Sequence, residues 1–259
     1  MNRNLHFAGY AWRSEVGLHR EANEDSGLIA NNLIAVADGM GGYVGGEIAS
    51  RAVIAELVKI HPLLINNEID IDSREDFLRS SINDMDAAIA AQGKENPELS
   101  GMGTTLTSIA IIGENAVLLH VGDSRAYRIR GKKIMQISHD HTVVQELIDQ
   151  GRLTPDEVAD HPQRSLLTQA LMGNGKFDPI LLAFPVEDGD IFLLCSDGLT
   201  TVVDEGKIAA AFTGDLQQGI DSLVELTYKN GAPDNVTIIA ARIGEVAKSV
   251  PVTTIGAAS

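Results

Sequence analysis

Three aspartates stand at the ends of short apolar runs, where their carboxylates could together hold a divalent cation. Asp38 and Asp197 each follow such a run and precede a glycine, and Asp234 stands just before a third run. The runs are residues 33–37, 191–195 and 236–241. Short apolar runs bounded by glycine-rich turns are typical of buried strands. Because carboxylates are hard oxygen donors, three strand ends that each present one could assemble a Mg²⁺ or Mn²⁺ site from distant parts of the chain.

Each of these acids also has an ordinary structural explanation when it is taken singly. An Asp-Gly pair after a strand is common in turns, because Asp bonds its own backbone and Gly adopts positive φ angles. Both Asp38-Gly39 and Asp197-Gly198 fit that description. The recurrence of an acid at three strand ends, together with the motifs below, favours metal binding over turn formation.

The polar segment 14–25 combines a cation with two acids in the sequence Arg20-Glu21-Ala22-Asn23-Glu24-Asp25. Arginine suits phosphate because its planar fork donates two parallel hydrogen bonds. An acid five residues after Arg20 could hold a metal shell while the arginine holds an oxyanion. The alternative is a solvated cluster of surface charges, which this segment alone would favour.

Charge and composition limit the classes of partner. A net charge of −16 argues against nucleic acid or an anionic membrane surface. The 259 residues, 44% of them hydrophobic, are enough for one sizeable core. Cys195 is the single cysteine, so no internal disulfide can form and a reducing compartment is indicated. No run approaches the about 18 apolar residues of a membrane span and no signal pattern begins the chain, so we expect a soluble, cytoplasmic protein without membrane contact.

The elements that must position these acids follow from periodicity and from turn residues. Helices are predicted over residues 46–60, 73–93, 204–212 and 215–230, with shorter ones starting near 144 and 154. Strands are predicted over 5–11, 33–37, 105–112, 117–121, 126–130, 133–137, 191–195 and 236–243. Pro62 is expected to end the first helix and Ser73 to cap the second. The strands between 105 and 137 are joined by tight turns, which predicts an antiparallel meander.

Six motifs occur in an order that resembles a known family. They are Arg20-x-x-Asn23-Glu24-Asp25, Asp38-Gly39-Met40-Gly41-Gly42, Gly103-Thr104-Thr105, Gly122-Asp123-Ser124-Arg125, Ser196-Asp197-Gly198 and Asp234-Asn235. Together they closely resemble the metal-dependent phosphatases of the protein phosphatase 2C family, and the bacterial Ser/Thr phosphatases most of all. The resemblance covers about residues 6–243. It implies an α+β fold in which two packed antiparallel β-sheets are flanked by helices on both outer faces, an αββα sandwich.

The resemblance also implies roles for the acids of the predicted strand ends. Asp38 would bridge two Mn²⁺ or Mg²⁺ ions, with the carbonyl of Gly39 on one of them. Asp197 and Asp234 would complete the shell of the other ion. Arg20 would clamp the phosphate of the substrate.

Further residues would support a water shell and a third ion, again by resemblance. Glu24 and Asp25 would hold metal-bound waters. Asp123, with Asp197, would contribute to a third, weaker metal site near a flap, and Ser165 is a further candidate for that ion.

By the same resemblance, the chain would be a metal-dependent protein phosphatase. It would hydrolyse phosphoserine and phosphothreonine on proteins by attack of a metal-bridging water or hydroxide on phosphorus. Its partners would be phosphorylated proteins, including a Ser/Thr kinase that it opposes, and we expect a monomer. Some family members carry a His within or just after the Asp-Gly motif, proposed as the general acid, but this chain has Met40 and Tyr43 there. The general acid is therefore open, with metal-bound water as an alternative.

The domain predicted from the chain covers residues 1–243 and includes a flap region at about 138–190. Residues 244–259 are predicted to be a C-terminal tail or linker. Some relatives continue through a linker into a membrane helix. The chain is therefore expected to be either a cytoplasmic protein or the cytoplasmic domain of a longer, membrane-anchored one.

The sequence also bears on three other functions. A cysteine-dependent phosphatase would need Arg six residues after its Cys, but position 201 is Thr, so Cys195 is predicted to be a buried small hydrophobe. A non-catalytic phosphoprotein-binding relative would be expected to lack metal acids, and Asp38, Asp197 and Asp234 are all present. A small-molecule phosphomonoesterase on the same scaffold stays open.

Overall fold

The computed structural model describes residues 5–42, 45–65 and 69–259, apart from the side chain of Ile71. The strands are β1 (His6–Glu15), β2 (Ser26–Ala30), β3 (Leu33–Ala37), β4 (Gly39–Met40), β5 (Gly103–Thr104), β6 (Leu106–Ile112), β7 (Asn115–Val121), β8 (Arg125–Arg130), β9 (Lys133–Gln136), β10 (Ile180–Pro185), β11 (Ile191–Cys195), β12 (Val236–Gly244) and β13 (Thr253–Gly256). The helices are α1 (Gly45–Ile65), α2 (Arg74–Glu95), α3 (Val143–Asp149), α4 (Asp197–Thr200), α5 (Glu205–Ala211) and α6 (Leu216–Lys229). Tyr43, one of the two positions at which a general acid was sought, lies outside the described residues.

Two antiparallel sheets pack face to face in the centre of the molecule. One has the strand order β1-β12-β11-β8-β9, the other has the order β10-β7-β6-β3-β2-β13, and β4 pairs with β5 separately. Successive side chains of a strand point to opposite faces, so Leu33 and Ala35 of β3 pack towards the helices while Ile34 and Val36 pack between the sheets. Because both faces are covered, the central strands are continuous apolar runs.

Helices cover both outer faces, as the predicted αββα sandwich requires. The pair α1 and α2 packs on the six-stranded sheet, and α5 and α6 pack on the five-stranded sheet. No helix within the described ranges combines the length and the apolar character that a membrane span needs.

Helix α1 continues past the point at which the sequence predicts its end. Pro62 lies inside the helix, which ends at Ile65. The last turn is held from both sides, because the His61 ring bonds the carbonyl of Asn31 at 2.6 Å and Leu64 is buried in the core. These tertiary contacts outweigh the backbone hydrogen bond that proline removes.

The predicted cap at Ser73 is wrong. Its backbone is helical, with φ −96° and ψ −9°, and its side chain makes no capping bond. A 3₁₀ turn over Ile71–Ser73 runs directly into α2 and takes the place of a cap. Near residue 154, where a short helix is predicted, there is a 3₁₀ turn over Pro155–Glu157, and the Glu157 carboxylate accepts from the backbone amide and the hydroxyl of Thr154 at 2.9 and 2.7 Å.

The predicted meander is also wrong, because its strands belong to different sheets. The hairpin β6–β7 lies in the six-stranded sheet, and β8–β9 lies in the five-stranded sheet. The chain crosses between them at Gly122, whose φ of +110° favours glycine and where a Cβ would lie 2.5 Å from the Thr105 side chain. Strands β2 and β10 were not predicted. β10 closes the predicted flap region and pairs with β7 at the sheet edge.

The stretch 244–259, predicted to be a tail or linker, contains a strand of the sandwich. β13 pairs with β2, and Ile255 lies opposite Gly27. Ile255 packs into the core between the sheets and is 9% exposed. The sequence pattern missed it because a four-residue strand at a sheet edge has too few residues to show a period.

We therefore expect Ile255→Ala to destabilise the protein, although the residue lies in the predicted tail. Loss of a buried Ile side chain with partial collapse of the site costs about 2 kcal/mol, or a fall in Tm of about 4–8 °C for a chain of this size. Thermal unfolding would measure it, with Val252→Ala as the matched control, since Val252 is 47% exposed. If the two variants had the same Tm, residues 253–256 would not contribute to stability and would be a tail as the sequence predicts.

Candidate active site

Strand register brings two of the predicted acids together at one end of the six-stranded sheet. Ser26, the first residue of β2, pairs with Ala37, the last residue of β3. Asp25 and Asp38 therefore leave adjacent strands side by side. The next strand, β6, starts beside them, and the backbone amide of Thr105 donates to the carbonyl of Asp38 at 2.9 Å.

The five-stranded sheet supplies three more acids at the same end of the sandwich. Cys195, at the end of β11, is paired with Ile238 of β12 and with Arg125, the first residue of β8. The residues beyond these pairs are Asp197 after β11, Asp234 before β12 and Asp123 before β8. Antiparallel pairing thus turns three separate sequence positions into neighbours.

Nearly all the predicted site residues line one cleft of about 750 Å³. They are Arg20, Glu24, Asp38, Gly39, Asp123, Ser165, Asp197 and Asp234. The exception is Asp25, which is 1% exposed and lies behind the cleft wall. Asp123, Ser165 and Asp197 also line a second cleft of about 690 Å³ beside the first. The structure therefore brings the predicted residues together.

Burial, together with mutual repulsion, raises the pKa of Asp38, Asp123 and Asp197. Burial, followed by repulsion from Asp25, Asp197, Asp123 and Asp234, raises the pKa of Asp38 well above its ordinary value. Burial is also the main reason that the pKa of Asp197 rises to about 6, and repulsion from Asp234 adds to it. Burial and repulsion from Asp197 raise the pKa of Asp123 to about 7.

Asp25 is the most deeply buried of the acids and is tied to the end of β11. Its Oδ2 accepts a hydrogen bond from the Ser196 hydroxyl at 2.7 Å. Burial raises the pKa of Asp25 to about 7, although this bond and one from Thr237 favour the ionised form. A carboxylate in such a place needs a cation or a proton, because its charge is otherwise poorly solvated.

Arg20 lies over the acids, 46% exposed, and is engaged with one of them. Its Nη2 donates to Asp234 Oδ2 at 2.6 Å, and its Nη1 lies 4.0 Å from Glu24 Oε2. The loop that carries Arg20 thus places its guanidinium at the predicted metal ligand. A bidentate contact through Nη1 and Nη2 with an incoming anion would require Arg20 to give up this bond to Asp234.

Asn235 is a positioning residue that the sequence alone did not reveal. Its amide Nδ2 donates to the carbonyls of Val16 and Ala22, at 2.8 and 2.9 Å. Its Oδ1 accepts from the backbone amide of Glu24 at 2.8 Å. One side chain therefore fixes the loop that bears Arg20 to the start of β12, next to Asp234. The signal in the sequence was only its place after the predicted ligand.

Two threonines support Asp38 in a way that their sequence motif did not explain. Thr105 Oγ1 accepts from the amide of Asp38 at 3.0 Å, and Thr104 Oγ1 donates to its carbonyl at 2.9 Å. Thr105 is in turn bonded to the buried Ser124 hydroxyl at 2.8 Å. Asp38 is thereby held through its backbone, which leaves its carboxylate for the cleft.

Gly39 is required because two backbone segments meet there. A Cβ at this position would lie 2.2 Å from the Gly46 carbonyl oxygen and 2.5 Å from that of Glu24. Any larger residue would force apart the start of α1 and the loop of Glu24. The glycine therefore holds Glu24 close to Asp38.

The donor set of the cleft suits hard divalent cations. Carboxylates and a backbone carbonyl are the oxygen ligands that Mg²⁺ and Mn²⁺ prefer, and their mutual repulsion would be relieved by bound cations. Within the described ranges, no group of three or more His, Cys, Asp or Glu side chains is placed so that it could hold a metal ion as it stands. Oδ2 of Asp234 accepts from Arg20 Nη2 at 2.6 Å, so cation binding by that oxygen would require the Arg20 side chain to move.

Comparison with known proteins gives a consistent result. A family model described as "Protein phosphatase 2C" matches residues 22–225. The chain is 42% identical over 238 residues to the serine/threonine protein phosphatase PstP of Mycobacterium tuberculosis, a match covering 90% of this chain and 45% of that protein. The chain thus spans less than half the length of that relative.

Two further matches cover their counterparts nearly completely. The serine/threonine phosphatase stp of Listeria monocytogenes is 31% identical over 239 residues, covering 88% of this chain and 93% of that protein. The crystal structure of the PstP catalytic domain in complex with two manganese ions superposes with a TM-score of 0.83 at 39% identity, covering 93% of this chain and 99% of that one.

The repulsion among the acids predicts how Asp197→Asn changes stability with pH. The folded pKa of Asp197, about 6, lies above its ordinary value of 3.8, mainly because the group is buried. Ionisation therefore costs folding free energy that is absent below pH 4 and complete above pH 6 to 7. With a chelator present, the variant should gain stability relative to the wild type as the pH rises through this window. Denaturant unfolding at a series of pH values would measure the difference, and parallel profiles for the two proteins would contradict it. With Mn²⁺ added at pH 7, the wild type should be the more stabilised protein.

Proposed function

The chain belongs to the protein phosphatase 2C family, and on that premise we propose that it is a divalent-metal-dependent phosphatase of phosphoserine and phosphothreonine on proteins. The observation that carries the proposal is the convergence of Asp38, Asp123, Asp197 and Asp234 in one cleft beneath Arg20. Acids alone would suit many cation sites. An arginine placed over them adds a binding group for the phosphate that the cations would activate.

We propose that the inner acids hold two cations. Asp38 would be a ligand of both, the Gly39 carbonyl would bind one, and Asp197 and Asp234 would bind the other. This assignment is supported by the raised pKa of Asp38 and of Asp197 and by the cleft that the acids share. Asp38 is fixed through its backbone by two threonines, and the other acids lie close to its carboxylate.

Outer residues would complete this arrangement. Glu24, in the cleft wall, and Asp25, behind it, are proposed to hold waters of the metal shell. Asp123 is proposed to hold a third, weaker ion together with Asp197, and Ser165 is a candidate ligand because it lines both clefts with them. Mn²⁺ is bound by the PstP catalytic domain, and Mg²⁺ would satisfy the same oxygen donors.

Bound divalent cations would supply a water of lowered pKa as nucleophile and would offset negative charge on the phosphate. The residues of the chain then bind and orient the substrate. Arg20 exchanges its contact with Asp234 for the phosphate oxygens and balances the charge that develops on them during in-line attack. Among the residues described as lining the cleft there is no histidine, and Met40 stands in its wall, so protonation of the leaving alkoxide by water is the proposed route.

Protein substrates are favoured over small phosphate esters by the walls of the cleft. Leu166 and Met172, which are 51% and 41% exposed, line it beside the acids. Exposed apolar side chains around a polar centre suit the residues that flank a phosphorylated side chain. Because the relatives are named as serine/threonine protein phosphatases, we propose that the substrates of this chain are phosphoproteins. We propose that a Ser/Thr kinase is one of these substrates. We also propose that the chain acts as a monomer.

A phosphothreonine peptide assay tests the proposed function. The protein should release phosphate with Mn²⁺ or Mg²⁺ and not with excess chelator. Asp38→Asn should lower kcat on the order of 10²–10³-fold at saturating metal, because the acid that touches both cations is lost. Substantial turnover by Asp38→Asn, or by the wild type in chelator, would contradict the two-cation assignment. Hydrolysis of small phosphate esters without any phosphopeptide would favour a small-molecule phosphomonoesterase.

Arg20→Ala should separate phosphate binding from a purely electrostatic role. Loss of a charge-assisted phosphate contact should raise KM for a phosphopeptide on the order of tenfold, and should lower kcat as well if the contact tightens in the transition state. Arg13→Ala is the matched control, since Arg13 is a half-exposed arginine paired with Glu15 and Asp221 away from the cleft. If the two variants gave the same kinetics, Arg20 would be a surface residue that only neutralises Asp234.

A further inference from the structure

A buried carboxylate from α2 fixes one wall of the cleft. Asp86, which is 5% exposed, accepts backbone hydrogen bonds from three residues of a distant loop. Its Oδ1 accepts from Met172 at 3.0 Å and from Gly173 at 2.7 Å, and its Oδ2 accepts from Gly175 at 2.8 Å. Backbone amides that converge on one carboxylate make strong, charge-assisted bonds. The loop is therefore anchored to the helix rather than only covering it.

The loop is built to be held at this place. Gly173 and Gly175 have φ angles of +69° and +66°, which favour glycine. A Cβ at Gly173 would lie 2.6 Å from the backbone nitrogen of Ala90, so the loop backbone rests directly on α2. Asn174 Oδ1 accepts from the amide of Lys176 at 2.8 Å and sets the turn that follows. The conformation of residues 172–176 is thus determined by α2 and by its own turn.

This loop presents a second cation to the cleft. Met172, Asn174 and Lys176 line the cleft that also contains Arg20 and Asp38. Of the described lining residues, only Arg20 and Lys176 are cationic, and Arg20 is paired with Asp234. The ammonium of Lys176 has no acid or other acceptor bonded to it among the residues that the structure describes, and the residue is exposed. Lys176 is therefore a cation at the rim of the cleft that can meet an anionic group of a substrate.

We propose that residues 172–176 form a substrate-reading rim, in which Lys176 binds a second negative charge near the phosphorylated residue and Asp86 is the positioning residue that holds the rim. The second charge is a carboxylate side chain or another phosphate group of the same substrate. A compact ammonium on a flexible stem suits either one as a point charge. This inference rests on the proposed phosphatase function and specifies which phosphopeptides the same site prefers.

The contribution of such a pair is modest because the lysine is exposed. Exposed ion pairs contribute little binding free energy. We therefore expect kcat/KM to be only about threefold to fivefold higher for a peptide that carries the extra charge. The preference should fall with added salt, since exposed charges are screened. Met172 beside Lys176 offers an apolar surface to the neighbouring residue of the peptide.

The test compares kcat/KM for four phosphothreonine peptides with Mn²⁺ present. One has neutral flanks, one has Glu on the N-terminal side, one has Glu on the C-terminal side, and one has a phosphoserine on both sides. The wild type should prefer at least one charged peptide over the neutral one. Lys176→Met should bring that ratio to about one, and Lys176→Glu should invert it. Lys133→Met is the matched control, an exposed lysine of β9 away from the cleft, and it should keep the wild-type ratio.

Asp86→Asn tests the anchor separately. An amide can accept through only one of its two end atoms, so at least one of the loop amides loses its partner. The ratio between charged and neutral peptides should fall towards one, and Asp84→Asn, an exposed neighbour on α2, should leave it unchanged. A melting curve close to that of the wild type would show that the fall comes from the loop and not from global unfolding.

The outcomes separate this inference from the function on which it rests. Two results would contradict the proposed rim but not the proposed phosphatase function. One is hydrolysis of the neutral peptide without any preference for the charged ones. The other is a preference for a charged peptide that persists in Lys176→Glu. No hydrolysis of any phosphopeptide would overturn both. A preference for the phosphoserine peptide without one for either Glu peptide would identify the second charge as phosphate.

Discussion

Repulsion among buried carboxylates is the constraint on which the rest of the structure depends. Asp25, Asp38, Asp123 and Asp197 all have raised pKa values because each is desolvated and close to the others. Such a cluster destabilises the fold unless rigid elements hold it, and functional sites are where proteins tolerate that cost. Here burial and antiparallel pairing of the apolar strands in the two sheets offset this repulsion. The same pairing fixes the positions of the strand ends that carry the acids.

Around this cluster, hydrogen bonds between side chains and backbone groups position the functional residues. Asp38 is held by Thr104 and Thr105, and the loop of Arg20 is held by Asn235. Each of these side chains bonds main-chain atoms, so the carboxylates and the guanidinium keep their functional atoms for the cleft. Asp86 follows the same rule on the opposite wall, where a side chain of a helix organises three amides of a loop.

The acids could be predicted from sequence because each is marked locally, by an apolar run on one side and a turn on the other. The errors came from partners that lie far along the chain. Nothing near Gly122 shows that the strands before and after it enter different sheets, and nothing near Ile255 shows that β2 lies beside it. Asp86 was equally hidden, since it sits next to Met85 in a helical stripe and its three donors lie 86 to 89 positions away. Sequence periodicity reports which face is buried and not which group it meets.

The contact between Arg20 and Asp234 couples two binding events that the geometry keeps apart. In the proposed site the guanidinium and a divalent cation would compete for the same carboxylate, so a phosphate group that draws Arg20 away would make Asp234 available to the cation. By thermodynamic reciprocity the cation must then strengthen phosphate binding by the same factor. If the proposed activity is present, we therefore expect released inorganic phosphate to retain metal in the site, so that the reaction would be inhibited by its own product when phosphate is abundant.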